Sequence, residues 1–199
     1  MNFYISDLHL GHGNALKFDS RPFTSVEEQN LMMIRNWNSV VAPGDTVYVL
    51  GDFAWKDDAA ALFLDNTHGR KVLILGNHDK KSKIINRFDE VYNYLEIKDS
   101  GATIILSHYP IAHWKNADYG SIHLYGHIHN GRDSRPFEQY VYMMRNRVDA
   151  KTGLNTEYKA YNVGCMMPYM GYMPRTLAEI IRGDREYYAK LFSNGLATL

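Results

Sequence analysis

Cysteine is all but absent from this chain: Cys165 is the only one in 199 residues. No intramolecular disulfide can form, and a cysteine-built zinc site has no ligands to draw on. A reducing compartment suits such a chain, so the expected location is the cytoplasm. Long hydrophobic runs are missing too, since nothing approaches the ~18 consecutive apolar residues of a membrane span. The opening residues, MNFYISDLHL, have neither the basic start nor the apolar core of a signal peptide. A soluble protein with no membrane partner is expected. An excess of one charge is the third absence: Lys plus Arg and Asp plus Glu each number 22. Overall charge therefore predicts no polyanion-binding surface and no acidic tail, although nucleic acid stays open as a substrate.

What is present is apolar side chain, at 45% hydrophobic and 13% aromatic residues, enough for a proper core. No linker or low-complexity segment divides the chain, and one domain over residues 1–199 is the expectation. One local pattern occurs five times. A short apolar, β-branched or aromatic run is followed within a few residues by side chains that can hold a metal. NFYIS leads to Asp7 and His9, TVYVL to Gly51 and Asp52, and KVLIL to Gly76, Asn77 and His78. TIIL leads to Ser107 and His108, and IHLY to Gly126, His127 and His129. The runs are continuously apolar, as in strands covered on both faces, and α/β sheets bind ligands beyond the carboxyl ends of their strands.

Between the strands, Thr24 and Glu27 suggest a capping box for a helix through Leu31, Ile34 and Trp37, and Asp57 suggests a cap for a second helix. The segment YNYLEIKDSGATIIL reads as a hairpin turning at Asp99, Ser100 and Gly101. Further on, EQYVYMMRNRV reads as a strand, KTGLN as a turn and EYKAYNV as a returning strand. Thr176 and Glu179 form a capping box for a last helix, with Gly183 a candidate break.

Asp7 and His9, two residues apart, project to the same side of an extended chain and could share a cation. A D-x-H pair alone says little. With the other four motifs it becomes the ordered series D7-L-H9, G51-D52, G76-N77-H78-D79, S107-H108 and G126-H127-I128-H129. That series resembles the signature of the calcineurin-like metallophosphoesterase family. SDLHLGH, RPF, the Trp37–Asn38 pair and YNVG further resemble its small bacterial and phage members.

The resemblance implies an α/β fold, a four-layer α/β/β/α sandwich of two mixed sheets with the metal centre at one sheet edge. It implies two divalent metal ions, with Asp7, His9 and His129 on one, Asn77, His108 and His127 on the other, and Asp52 bridging them. Manganese is the first expectation, with iron, zinc or nickel compatible with the same nitrogen and oxygen donors. The implied reaction is phosphoester hydrolysis by a hydroxide bridging the metals, with His78 as general acid or substrate contact. The expected substrate is a small phosphodiester, a nucleotide among them. A phosphomonoester, a phosphoprotein or a scaffold role without activity are the alternatives. A metallo-β-lactamase reading fails because H-x-H-x-D-H is absent after His127.

Outside the signature, His12, Arg21 and Arg132 are candidate substrate contacts, the arginines because guanidinium pairs well with phosphate. Arg135 is a candidate of the same kind, and solvated surface is the alternative for all three arginines. Asp79 is expected to cap a following helix, His68 to end one, His113 to line the site or pack by Trp114, and His123 to lie in the core. The methionines at 166, 167, 170 and 173 suit either core filling or an adaptable surface.

Overall fold

The computed structural model describes residues 1–79 and 83–193. Its first half alternates strand and helix. Strand β1 (Asn2–Ile5) is followed by α1 (Gly13–Phe18) and α2 (Val26–Val40), then β2 (Thr46–Val49), α3 (Asp57–Asp65), β3 (Arg70–Ile74) and β4 (Glu90–Tyr92). These strands form one sheet in the order β1-β2-β3-β4, and every pairing is parallel. Two mixed sheets were expected; the four strands of this one are parallel because a crossover, not a hairpin, joins each to the next, and its antiparallel element is the bridge between Tyr4 of β1 and Arg175. At Asn93 the chain passes to the second sheet, built from β5 (Tyr94–Asp99), β6 (Ala102–Ser107), β7 (Ile122–Tyr125) and β8 (Ala160–Asn162). This one is mixed: β5 and β6 are antiparallel across a turn with Ser100 and Gly101 at positive φ, as the hairpin reading predicts, and β6, β7 and β8 run parallel.

The two sheets face each other. Tyr4 and Ile74 of the first share one core with Ile104, Leu106, Ile122 and Leu124 of the second, and the Tyr4 hydroxyl donates to Asp99 of β5, while Phe3, Ile5, Val47, Val49 and Leu73 lie on the opposite face. On the outside, Met33 and Trp37 of α2 and Phe63 of α3 cover the first sheet. Ile105 and Tyr125, on the other face of the second sheet, pack with Val141 of helix α4 (Arg135–Arg145). The result is the α/β/β/α arrangement. Helix α5 (Leu177–Ser193) reaches both β1 and β8.

Several local expectations need correction. The cap of α2 is Ser25, whose side chain accepts from the N–H of Glu28, while Glu28 reaches back to Thr24; the box stands one residue later than Thr24 and Glu27. Gln29, Met33 and Trp37 face inward, whereas Leu31 is exposed. Asp57 is the first residue of α3, where its charge favours the positive helix end, and Lys56 holds the cap position. The segment EQYVYMMR lies in helix α4, not a strand: Pro136 stands in its first turn, and Phe137, Val141 and Met144 recur on one helical face against Tyr125 and Tyr158. Gly183 does not break α5; a Cβ there would lie 2.5 Å from Cβ of Tyr169, so glycine serves close packing. Thr176 and Glu179 do cap that helix reciprocally. Met166, Met167 and Met170 are core.

Candidate metal centre

All five motifs end at one edge of the paired sheets, and the loops there are held in unusual backbone. Asp7, His9, Asp52, His127 and His129 all have φ between 50° and 71°. Non-glycine residues adopt this left-handed region at a cost, and its concentration in five candidate ligands marks a functional constraint. Two glycines let the loops meet. A Cβ on Gly76 would stand 2.3 Å from Oδ1 of Asp52, and one on Gly126 would stand 2.0 Å from Oγ of Ser6 and 2.5 Å from Oδ2 of Asp7.

Two clusters result. Donor atoms of Asp7, His9 and His129 lie within 4.8 Å of one another, and so do those of Asp52, His108 and His127. Asn77 joins the second cluster, its Oδ1 lying 3.1 Å from Nε2 of His108. Asp52 sits between the two, with Oδ1 3.5 Å from Nε2 of His108 and Oδ2 3.7 Å from Nε2 of His9.

The protons on the imidazoles test whether cations fit. Nδ1 of His108 lies 2.7 Å from the carbonyl of Leu50 and donates to it, which leaves an Nε2 lone pair facing the oxygens of Asn77 and Asp52. Nδ1 of His129 donates to Asp19 Oδ1 at 2.6 Å, which leaves its Nε2 facing Nε2 of His9 at 3.3 Å and Oδ1 of Asp7 at 3.9 Å. In the second cluster acceptors converge on acceptors, an arrangement that a cation between them relieves, and in the first the inward nitrogens of His9 and His129 meet beside the Asp7 carboxylate. Orienting a ligand histidine through its other nitrogen is also how metal sites fix the tautomer.

The electrostatics favour a neutral ring at His9 and His127, but not the ligating forms of Asp7 and His129. Burial, with His129 adding, pushes His9 down to about 2, so its ring is neutral and able to ligate. Burial raises the Asp7 carboxyl above its ordinary range, against the pull of His129 and His108. Burial and then His108 lower His127. His129 goes the other way: burial opposes its charge, but the bond to Asp19 and the carboxylates of Asp7 and Asp19 outweigh it.

The clusters line a cavity of about 550 Å³ that also holds His78, His12 and Arg132 in its wall. His78 donates its backbone N–H to Asp52 Oδ1 at 3.0 Å, and its Nε2 lies 3.8 Å from Asp52 Oδ2. Arg132 is exposed on the rim, whereas Arg135 opens α4. Arg21 is placed differently from the substrate-contact reading. It is buried and its donors go to Asp19, Gln29 and the carbonyls of Asp7 and Leu8, so the guanidinium braces the first ligand loop from behind.

Asp79, expected as a helix cap, turns its carboxylate back to the N–H groups of Asp52, Phe53 and Gly76. Residues 80–82, where that helix would begin, lie outside the described residues. His68 and His113 are exposed. His123 is a core histidine, as expected, with Nε2 accepting from Ile111 N–H and Nδ1 donating to the carbonyl of Ile105.

Motif reading misses Asp19, because nothing in its local sequence points toward a histidine on a loop 110 residues away. It also misses Phe18 and Trp55 in the cavity wall. Asn162, in the YNVG stretch, was within reach: its side chain donates to the His129 carbonyl and accepts from Gly164.

The family model for calcineurin-like phosphoesterases matches residues 3–150, and the chain belongs to that family. The matched span contains every candidate ligand. The chain is similar to the uncharacterized protein MJ1445 of Methanocaldococcus jannaschii, at 39% identity over 140 residues, 68% of this chain and 73% of that protein. It is 29% identical to the Gene 66 protein of Mycobacterium phage L5 over 160 residues, 64% of this chain and 77% of the phage protein. Among solved structures, the protein of unknown function AQ665 from Aquifex aeolicus matches with a TM-score of 0.67 and 26% identity, over 92% of this chain and 98% of the other. The family is one of phosphoester hydrolases, and the two clusters agree with divalent metal binding.

Proposed function

We propose that this chain is a phosphodiesterase that works with two divalent cations, manganese first among them, on a small phosphodiester such as a nucleotide ester. The position of Asp52 carries the reading, with one carboxylate oxygen toward His108 in one cluster and the other toward His9 in the second. Asp7, His9 and His129 would hold one cation, Asn77, His108 and His127 the other, and Asp52 both. Bound there, the pair would supply charge for the phosphoryl oxygens and acidify a water.

The chain's own residues do the rest. Asp19 orients His129, and the Leu50 carbonyl orients His108, so each presents a lone pair inward. His78 stands at the cavity side of Asp52, where it can hold a proton for the departing oxygen. A cavity of about 550 Å³ is in the range that takes an organic ligand, which favours an esterified organic group on each side of phosphorus over inorganic phosphate alone. A buried, unpaired Cys165 supports action in the cytoplasm.

The test is an activity matrix on purified, metal-stripped protein, crossing manganese, iron, zinc and nickel with monoesters, linear diesters and cyclic nucleotides. Turnover of diesters with manganese is the expected result. Preference for monoesters would replace diesterase by phosphatase, and two bound metals with no turnover of any ester would make the chain a scaffold.

A further inference from the structure

Phosphoryl transfer needs positioned charge and has no use for aromatic rings, yet two rings stand open in the wall of this cavity. Trp55 is 53% exposed and Phe18 is 54% exposed. The other two tryptophans, Trp37 and Trp114, are 1% and 4% exposed, so the protein buries indole where packing is the aim. Trp55 lies under His12, with ring centroids 4.2 Å apart and planes within 8°, and meets His78 at 5.1 Å. Phe18 stands on the far side of His12, 5.7 Å from it and 5.6 Å from His129.

This platform is fixed by backbone. Trp55 N–H donates to the carbonyl of Leu10 at 2.8 Å, Leu10 N–H to that of Phe53 at 3.1 Å, and Leu10 and Ala54 form a parallel bridge. A Cβ on Gly11 would lie 2.9 Å from Cβ of Lys56, so the two loops are also in close contact. The loop that carries Asp52 therefore places an indole three residues on, beside the reacting centre, and the loop that carries His9 supports it with His12.

We propose, on the reading of this site as a phosphoester hydrolase, that Trp55 and Phe18 form the specificity wall for a planar base on the substrate, which makes a nucleotide ester the substrate class. Trp55 supplies the stacking surface, Phe18 flanks it, and His12 positions Trp55. Base stacking on an aromatic side chain is sequence-tolerant and corresponds to roughly 5- to 150-fold in affinity, so the wall selects for a base without choosing strongly among bases.

Two measurements on the metal-loaded protein test this. In the first, adenosine 5′-phosphate and ribose 5-phosphate are titrated while tryptophan emission and its quenching by acrylamide are followed. The base-bearing ligand should change the emission and shield the exposed tryptophan, the ribose ligand should not, and Trp55→Phe should lack the response. In the second, kcat/KM is compared for the methyl phosphodiesters of adenosine and of ribose at the same 5′ oxygen. Their ratio should fall roughly 5- to 150-fold in Trp55→Ala and recover in part in Trp55→Phe. Turnover of both esters with a ratio unaltered by Trp55→Ala sinks the wall and leaves the hydrolase standing. Base-dependent shielding of Trp55 without turnover of any ester keeps the wall and sinks the hydrolase.

Discussion

The carboxylate of Asp79 accepts the backbone N–H of Asp52 at 2.9 Å, so the candidate bridging ligand is held by a second buried acid 27 residues away. The same carboxylate accepts from Phe53 at 3.0 Å and Gly76 at 2.8 Å. Three strand-end N–H groups thus converge on one side chain, tying the loops after β2 and β3. Burial raises the Asp79 carboxyl, and the bonds from Gly76 and Phe53 work against that rise.

Asp79→Asn should disturb the site without touching a metal. An amide keeps one acceptor oxygen and turns an NH₂ toward backbone donors, leaving at least one buried N–H unsatisfied. The expected loss is about 1–3 kcal/mol of stability, together with weaker metal binding at the Asp52 cluster. Chemical unfolding and metal titration of the variant check both. Unchanged stability and unchanged affinity would show that the three bonds contribute nothing.

Asp52→Asn tests the bridge itself. The neutral amide donates one weak oxygen where a carboxylate faces both clusters, so double occupancy and turnover should fall together. Peripheral metal-site contacts are worth about 10–100-fold, and a bridging ligand should cost at least the upper end of that range in activity. Metal analysis beside kcat/KM is the measurement. Two tightly held metals with normal turnover would refute the bridging role.

The contrast between Asp79 and Asp52 also shows what the sequence could reveal. The two clusters of candidate ligands were legible because each such residue follows an apolar strand run, and strand ends on a parallel sheet meet by topology. The hairpin at Ser100–Gly101 was legible because its turn is local. Asp19, Asp79 and the inward Arg21 were not, since each acts through partners set by tertiary packing, and a lone charged residue reads alike whether it faces solvent or a loop. Helix α4 was misread because Tyr140, Tyr142 and Met143 suit a strand, whereas the buried period of Phe137, Val141 and Met144 is helical. The parallel run of the first sheet's four strands was not legible, since the expectation of two mixed sheets rests on the family resemblance and the hairpin signal in the sequence lies in the second sheet.

A pH dependence of stability follows from His123, far from the metal clusters in role. Burial pushes its pKa down to about 4, while its two backbone bonds, one donated and one accepted, suit the neutral ring. The sign is that of a histidine buried neutral. Below the unfolded pKa of 6.5 the unfolded chain takes up a proton that the folded core refuses, so stability falls from pH 6.5 to about 4 and then levels. The loss attributable to this ring is about 3 kcal/mol. Urea unfolding of the wild type and His123→Asn at pH 7 and pH 4.5 isolates it, because His9 and His127 titrate alike in both proteins. Equal pH slopes would assign the acid sensitivity elsewhere.

The last prediction separates proton transfer from metal binding. His78 has its Nε2 3.8 Å from Asp52 Oδ2 and belongs to neither metal cluster, whereas His108 is buried in one of them. His78→Ala should therefore retain most of its metal while losing rate, by ~10²–10⁴-fold if its proton reaches the departing oxygen. That loss depends on the leaving group. An aryl diester leaves as a stable phenolate and needs little protonation, so it should be hydrolysed relatively well, while a nucleoside or alkyl ester should suffer the full effect. His108→Ala should lower metal occupancy and impair both esters alike, since its Nε2 is turned to the metal side by the bond from Nδ1 to Leu50. The comparison is kcat/KM for an aryl and a nucleoside diester, beside metal stoichiometry, in both variants. An equal loss on both esters in His78→Ala, with metal retained, would exclude His78 as the acid and leave it a contact to the phosphoryl oxygens.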